Sequence, residues 1–130
     1  MSHPPEWVTV DDVLLFHREL IAAFGGSSGV RDTSLLESAL ARPRDVHAYE
    51  SHDLVVLAGV YARSLAKNHP FVDGNKRVIF VVVRVFLGIN GIDFNPPEVE
   101  TVVMVEGLAS DHVSQVVFTE WIRKHCVPMG

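Results

Sequence analysis

Apolar residues recur at helical spacing along most of this chain. Val13, Phe16, Leu20 and Phe24 fall three or four residues apart, behind Thr9-Val10-Asp11-Asp12. A Thr followed three residues later by an acid can satisfy backbone donors reciprocally, so the pattern predicts a first helix with Thr9 as its N-cap. Gly25-Gly26-Ser27-Ser28-Gly29 ends that helix in a flexible loop. Asp32 can cap a second helix through Leu35, Leu36, Ala39 and Leu40. Pro43, with no N–H to donate, limits it. Residues 43–52 show no clear period and read as a loop or short hairpin. Asp53 can cap a third helix through Leu57, Val60, Tyr61, Ser64 and Leu65, ending near Asn68.

Residues 75–89 are rich in β-branched side chains (Val78, Ile79, Val81, Val82, Val83, Val85). These make a strand an open alternative, but the length favours a helix buried nearly all round. Asn95-Pro96-Pro97-Glu98 combines a cap, Pro in a first turn and Glu three residues on, and predicts the start of a fifth helix through Val99, Val102, Val103 and Glu106. Ser110 is the expected cap of a sixth, with Val113, Val117, Trp121 and Ile122 as its apolar stripe. The expected fold is an all-α, compact bundle of about six helices, with a short loop or hairpin flap before residue 69. No repeat, low-complexity tract or long linker divides residues 1–130, which reads as one domain.

Composition narrows the classes. A chain of 130 residues with 48% hydrophobic content can bury a real core without staples. The formal net charge of −5 argues against a nucleic-acid-coating surface. The single Cys126 has no intrachain partner, which fits a reducing cytoplasm. The N-terminal residues lack a basic start and apolar core, so no signal peptide is expected. The longest apolar run, residues 78–83, stops at Arg84, too short to span a bilayer.

The densest chemistry is in His69-Pro70-Phe71-Val72-Asp73-Gly74-Asn75-Lys76-Arg77. His69 is a general-base candidate, because an unperturbed imidazole titrates near pH ~6.5. The alternative is a helix-terminal His on exposed carbonyls. Asp73 offers the hard oxygen that Mg²⁺ requires, or else an N-cap; the two roles are compatible in turn. Gly74 permits φ > 0 or close approach of a phosphate. Asn75, Lys76 and Arg77 fall at the positive end of a helix, where backbone N–H groups and cations can bind phosphate oxygens. Two cations there oppose the macrodipole unless an anion joins them. Phe71 is expected to pack beneath the loop.

These nine residues resemble the signature of the Fic/Doc superfamily: His-Pro-Phe, an acidic residue, Gly-Asn, Gly or Lys, then Arg. Lys76 stands where adenylyl-transferring Fic enzymes usually carry Gly, and is similar to the death-on-curing (Doc) branch. Gly29-Val30-Arg31-Asp32, the block from Leu35 to Pro43, Phe86-Leu87 and Asn90-Gly91 extend the likeness over most of residues 8–125. The resemblance implies that residues 75–89 form a helix. It implies His69 as base, Asp73 as Mg²⁺ ligand, and Gly74, Asn75, Lys76 and Arg77 as nucleotide-binding, with Asp73, Lys76 and Arg77 also counted catalytic. It further implies a toxin of a type II toxin–antitoxin pair, a kinase-type enzyme that transfers the γ-phosphoryl group of ATP to a protein hydroxyl. Elongation factor Tu is the target it suggests, and arrested translation the outcome.

Fic-type AMP transfer to a protein hydroxyl is the alternative chemistry, and a catalytically silent antitoxin-binding module the alternative role. Phe80 occupies the position of the second Fic Arg, and no inhibitory spacing of Ser or Thr, Glu and Gly or Asn occurs; the stretch from Thr101 to Glu106-Gly107 is one residue too long. These departures favour the Doc branch and an antitoxin supplied by another chain. Its C-terminal segment would fold on binding, in an apolar groove between residues 9–24 and 98–122. Arg84, seven residues after Arg77, extends the basic face or forms an ion pair. His47 and His52, five apart, lack helical metal-site spacing.

Overall fold

The structure is a computed structural model and describes residues 3–129. Among the described residues six helices form, as the apolar spacing predicts. α1 (Val10–Phe24) opens on a capping box: the Asp12 N–H donates to Thr9 Oγ1 at 3.2 Å, and the Thr9 N–H to Asp12 Oδ2 at 2.9 Å. It ends at Gly25. α2 (Thr33–Tyr49) starts behind Asp32, whose carboxylate accepts the Ser34 N–H. α3 (Leu54–Asn68) starts behind Asp53, which accepts from Val55 and Val56.

Pro43 does not end α2. The helix runs through it to Tyr49, so the expected loop or hairpin flap at residues 43–52 is instead about two further helical turns and a short link. Proline inside a helix costs about 3 kcal/mol. Pro43 is itself buried with Leu36, Ala39, Leu40 and Val46, the face that α2 packs on α3. Burying such a face is worth several such increments, so packing overrides propensity.

α3 is the central element. Leu57, Ala58, Tyr61 and Ala62 are fully buried, and α3 packs on α2, α4 and α6. Tyr61 also hydrogen-bonds through its hydroxyl to the Val8 backbone, fastening the segment that enters α1; burial pushes its pKa up to about 12. α4 (Asn75–Ile89) is helical despite its β-branched content. It is not buried nearly all round: Val78, Ile79, Val82, Val83, Phe86 and Leu87 face the core, while Lys76, Arg77 and Arg84 are exposed.

Two further expectations shift. Asn95 does not cap α5 (Glu98–Ala109); Pro97 precedes that helix without a side-chain cap bond, and the Asn95 N–H donates to His125 O. Ser110 closes α5 rather than opening α6, its Oγ bonding Glu106 O, and Ser114 caps α6 (Gln115–Lys124). The second change follows from orphan carbonyls at the end of α5, which need donors before the chain can turn. A short pair unforeseen from the sequence, β1 (Ile92–Phe94) antiparallel to β2 (Cys126–Pro128), with Phe94 opposite Cys126, ties the chain after α4 to the chain after α6. Among the described residues, no helix is long and apolar enough to cross a membrane.

Candidate active site

The turn between α3 and α4 holds the nine-residue motif, and each of its bends has a local cause. His69 ends α3 in the left-handed region, φ 47° and ψ 60°. That conformation costs a non-glycine residue about 1–2 kcal/mol, so something must hold it. Gly74 precedes α4 at φ 83°, where a side chain would be strained.

Residues 27–31 run antiparallel to the motif as a strap. The Arg31 N–H donates to Pro70 O at 2.7 Å, and the Val72 N–H to Gly29 O at 3.0 Å. These flank a bridge between Val30 and Phe71. In this register Val30 and Phe71 form the non-hydrogen-bonded pair, so Phe71's own N–H and C=O point away from the strap. Asn75 takes both: its Oδ1 accepts the Phe71 N–H at 3.0 Å, and its Nδ2 donates to Phe71 O at 2.8 Å. The flap expected at residues 43–52 is thus replaced by a strap from the loop after α1.

That double contact also orients the Asn75 amide. The end facing Phe71 O must be the NH₂ group, and the same nitrogen lies 3.2 Å from His69 Nε2. Nε2 is therefore the acceptor, and the His69 proton sits on Nδ1. His17, on α1, supports the loop from below. It is 3% exposed, stacks on Phe71 with ring centroids 3.8 Å apart, and reaches Asp73 O with Nε2 at 2.8 Å. Phe71 itself is fully buried, as expected.

Asp73 is not an N-cap: no side chain caps α4. Its Oδ2 accepts the Ser27 N–H at 2.8 Å, and Gly26 passes so close that an added Cβ would lie 3.3 Å from Asp73 Cβ. The carboxylate is exposed, and Oδ1 is left without a described hydrogen bond. One such oxygen fits Mg²⁺, which commonly binds through one or two carboxylates plus substrate phosphates. Among the described residues no three His, Cys, Asp or Glu side chains gather to hold a metal alone, so phosphate oxygens and water would complete the shell. His47 and His52 do meet, with ring centroids 4.6 Å apart, but no third ligand joins them.

Asn75 is 7% exposed and its side chain is committed to the loop, leaving its backbone N–H for an anion. Lys76 and Arg77 are exposed at the start of α4. Lys76 Nζ lies 3.9 Å from Glu106 Oε1, a weak exposed contact. The Arg77 guanidinium rests 4.3 Å over the Phe24 ring. These two side chains line a groove of about 680 Å³ between α1, α4 and α5, together with Leu20, Phe24, Phe80 and Arg84. Arg84 makes no described ion pair and faces this groove. His69 and Asp73 do not line it. The motif therefore has two sides: the His69 imidazole and the Asp73 carboxylate on the loop, and the cations along the groove. Cys126 lies far along the chain, and burial pushes its thiol up to about 11, so it is not a nucleophile near neutrality.

A family model described as the Fic/DOC family matches residues 7–87, well over half of the chain. The chain belongs to the Fic/DOC family. It is 44% identical over 72 residues to the Toxin Doc of Mycolicibacterium smegmatis (strain ATCC 700084 / mc(2)155), a match that covers 54% of this chain and 55% of that protein. The matched part of this Fic/DOC chain thus spans about half the length of that curated relative. The matched family region takes in α1, the strap and the motif loop. Two of its site-building residues escaped the sequence reading. His17 carries no motif signal. Arg31 stood in the upstream block of the resemblance, but nothing local to it revealed a role.

Proposed function

We propose that this Fic/DOC chain is a toxin that transfers the γ-phosphoryl group of ATP to a protein hydroxyl, with elongation factor Tu as its target. The observation that carries the reading is the motif loop. An imidazole whose Nε2 faces the Asn75 amide stands beside a helix start that has no side-chain cap, no acid in its first turn and two cations. An uncapped N-terminus with Lys76 and Arg77 favours a bound polyanion. In this reading the acceptor hydroxyl displaces Asn75 from Nε2 and gives its proton to His69. The oxygen attacks the γ-phosphorus, and the bond to the β–γ bridging oxygen breaks, releasing the nucleoside diphosphate. Backbone N–H groups after Gly74, with Lys76 and Arg77, hold the phosphate oxygens. Mg²⁺ held by Asp73 would supply charge neutralisation there. Lys76, together with Phe80 in place of a second Arg, favours γ-phosphoryl transfer over AMP transfer.

Incubation with γ-³²P and α-³²P ATP and the candidate target tests the reading. Label from γ-³²P alone is expected. Label from α-³²P would mean AMP transfer, and no label from either would leave a binding module. Expressed alone in a bacterium, the chain should arrest growth and translation.

Control by an antitoxin belongs to the same proposal. The groove has an apolar floor of Leu20, Phe24 and Phe80 and cations at Lys76, Arg77 and Arg84. It suits a partner segment that is disordered when free, folds on docking, and brings apolar and acidic side chains. The complex should unfold at a higher temperature than the free chain.

A further inference from the structure

Arg31 makes more contacts with the backbone around His69 than any motif residue does. Its Nε donates to His69 O at 2.8 Å and its Nη2 to Asn68 O at 2.8 Å, while its backbone N–H holds Pro70 O at 2.7 Å. Three consecutive carbonyls are thus fixed by one residue. The last carbonyls of a helix have no intrahelical partner, and a guanidinium offers two donors in a fixed fork that matches adjacent acceptors. A cation is also favoured at the negative end of α3. Asn68 is restrained further, because its Nδ2 donates to Leu35 O at 2.9 Å. Together these contacts pin the peptide units on either side of His69, whose φ of 47° would otherwise be unfavourable. In that left-handed conformation the ring stands 3.2 Å from Asn75 at the head of α4.

We propose that Arg31 is a positioning residue for the transfer reaction, holding the His69 imidazole in its basic orientation by clamping the carbonyls of Asn68 and His69. This deepens, and rests on, the reading of His69 as the base. Arg31 touches neither nucleotide nor acceptor in this role. The phosphate-binding start of α4 is held separately, by His17 beneath Asp73 and by Ser27 on its carboxylate. Loss of Arg31 should therefore misplace the base and leave the anion site intact.

The test uses the full chain with Arg31→Ala and Arg31→Lys. Turnover and nucleotide KM are measured, and long-range ¹H–¹⁵N spectra of the His69 ring are recorded without nucleotide. In Arg31→Ala, kcat should fall roughly 10- to 100-fold, the loss expected when a positioned group is slightly displaced, with KM nearly unchanged. The His69 ring signals should move from the Nδ1-protonated pattern towards a mixture of tautomers. Arg31→Lys should recover part of both effects, because an ammonium can reach the carbonyls but lacks the fork. An unchanged ring spectrum in Arg31→Ala overturns the proposal. So does a loss shared equally between kcat and nucleotide affinity, which would mark a general loosening of the loop. If the wild-type chain transfers no label at all, the transfer reading fails by itself, and the ring spectra still decide whether Arg31 sets the His69 tautomer.

Discussion

Replacing Asn75 by Ala should destabilise the protein far more than its place at the first position of a helix suggests. The side chain is 7% exposed and makes both hydrogen bonds available to the Phe71 backbone, as well as the contact to His69. The strap cannot substitute, since its register turns Phe71's N–H and C=O away from Val30. Alanine would leave two polar groups unpaired beside a fully buried ring. Each such group costs about 1–3 kcal/mol. Some water can enter from the exposed side of the loop at Val72 and Asp73, so the net loss should be about 2–4 kcal/mol. Urea unfolding followed by far-UV circular dichroism measures this as a lower midpoint with an unchanged slope. Asn75→Asp is the sharper control. A carboxylate can still accept the Phe71 N–H but has no donor for Phe71 O or for His69 Nε2, so it should rescue at most half of the loss. If Asn75→Ala lies within about 0.5 kcal/mol of wild type, the ordinary range for surface changes, the loop is held by something else.

Other outcomes follow from the same geometry. His69→Ala should lower transfer by roughly 10²–10⁴-fold while nucleotide affinity stays close to wild type; full activity removes His69 from the role of base. Asp73→Ala should weaken the Mg²⁺ dependence of transfer and Arg77→Ala the binding of triphosphate, and calorimetric affinities unchanged in both would mean that the nucleotide sits elsewhere. Asp53 supplies a pH prediction. Burial raises its pKa, but the hydrogen bond from Arg123 and the N–H groups of Val55 and Val56 outweigh that and hold it below the ordinary 3.8. A group depressed in the folded state stabilises fully above its unfolded pKa, and that contribution disappears as pH falls through the folded value. Asp53→Asn keeps a capping side chain but loses the charge, so it should lower stability at neutral pH and flatten the decline below pH ~4. Unfolding midpoints across the acid range that run parallel for variant and wild type would contradict this.

Features that depend on neighbours a few residues away were legible before any coordinates. Thr9, Asp32 and Asp53 cap their helices because each bonds an N–H two or three positions on, and the pattern that encodes this is local. The order of His69, Asp73, Gly74, Asn75, Lys76 and Arg77 likewise announced a loop leading into a helix that starts with two cations. The helical state of residues 75–89 was less secure, since β-branched propensity pointed the other way and family likeness decided it. The remaining features arise from pairs distant in sequence. Pro43 stays helical because its face is buried against α3, a packing energy that a local rule for proline does not contain. Ser110 and Ser114 are both plausible caps, and only the way α5 turns off assigns them. β1 and β2 meet across more than thirty residues, and each is too short to show a period of its own. The strap joins Ser27 and Arg31 to positions 37–46 residues later, and His17 reaches Asp73 across 56. Sequence by itself thus determined which chemical groups this chain brings to its motif. Tertiary structure alone decided how they are held, because the hydrogen bonds that orient His69, Asp73 and Asn75 close only when α1, the strap and the α3–α4 loop pack together.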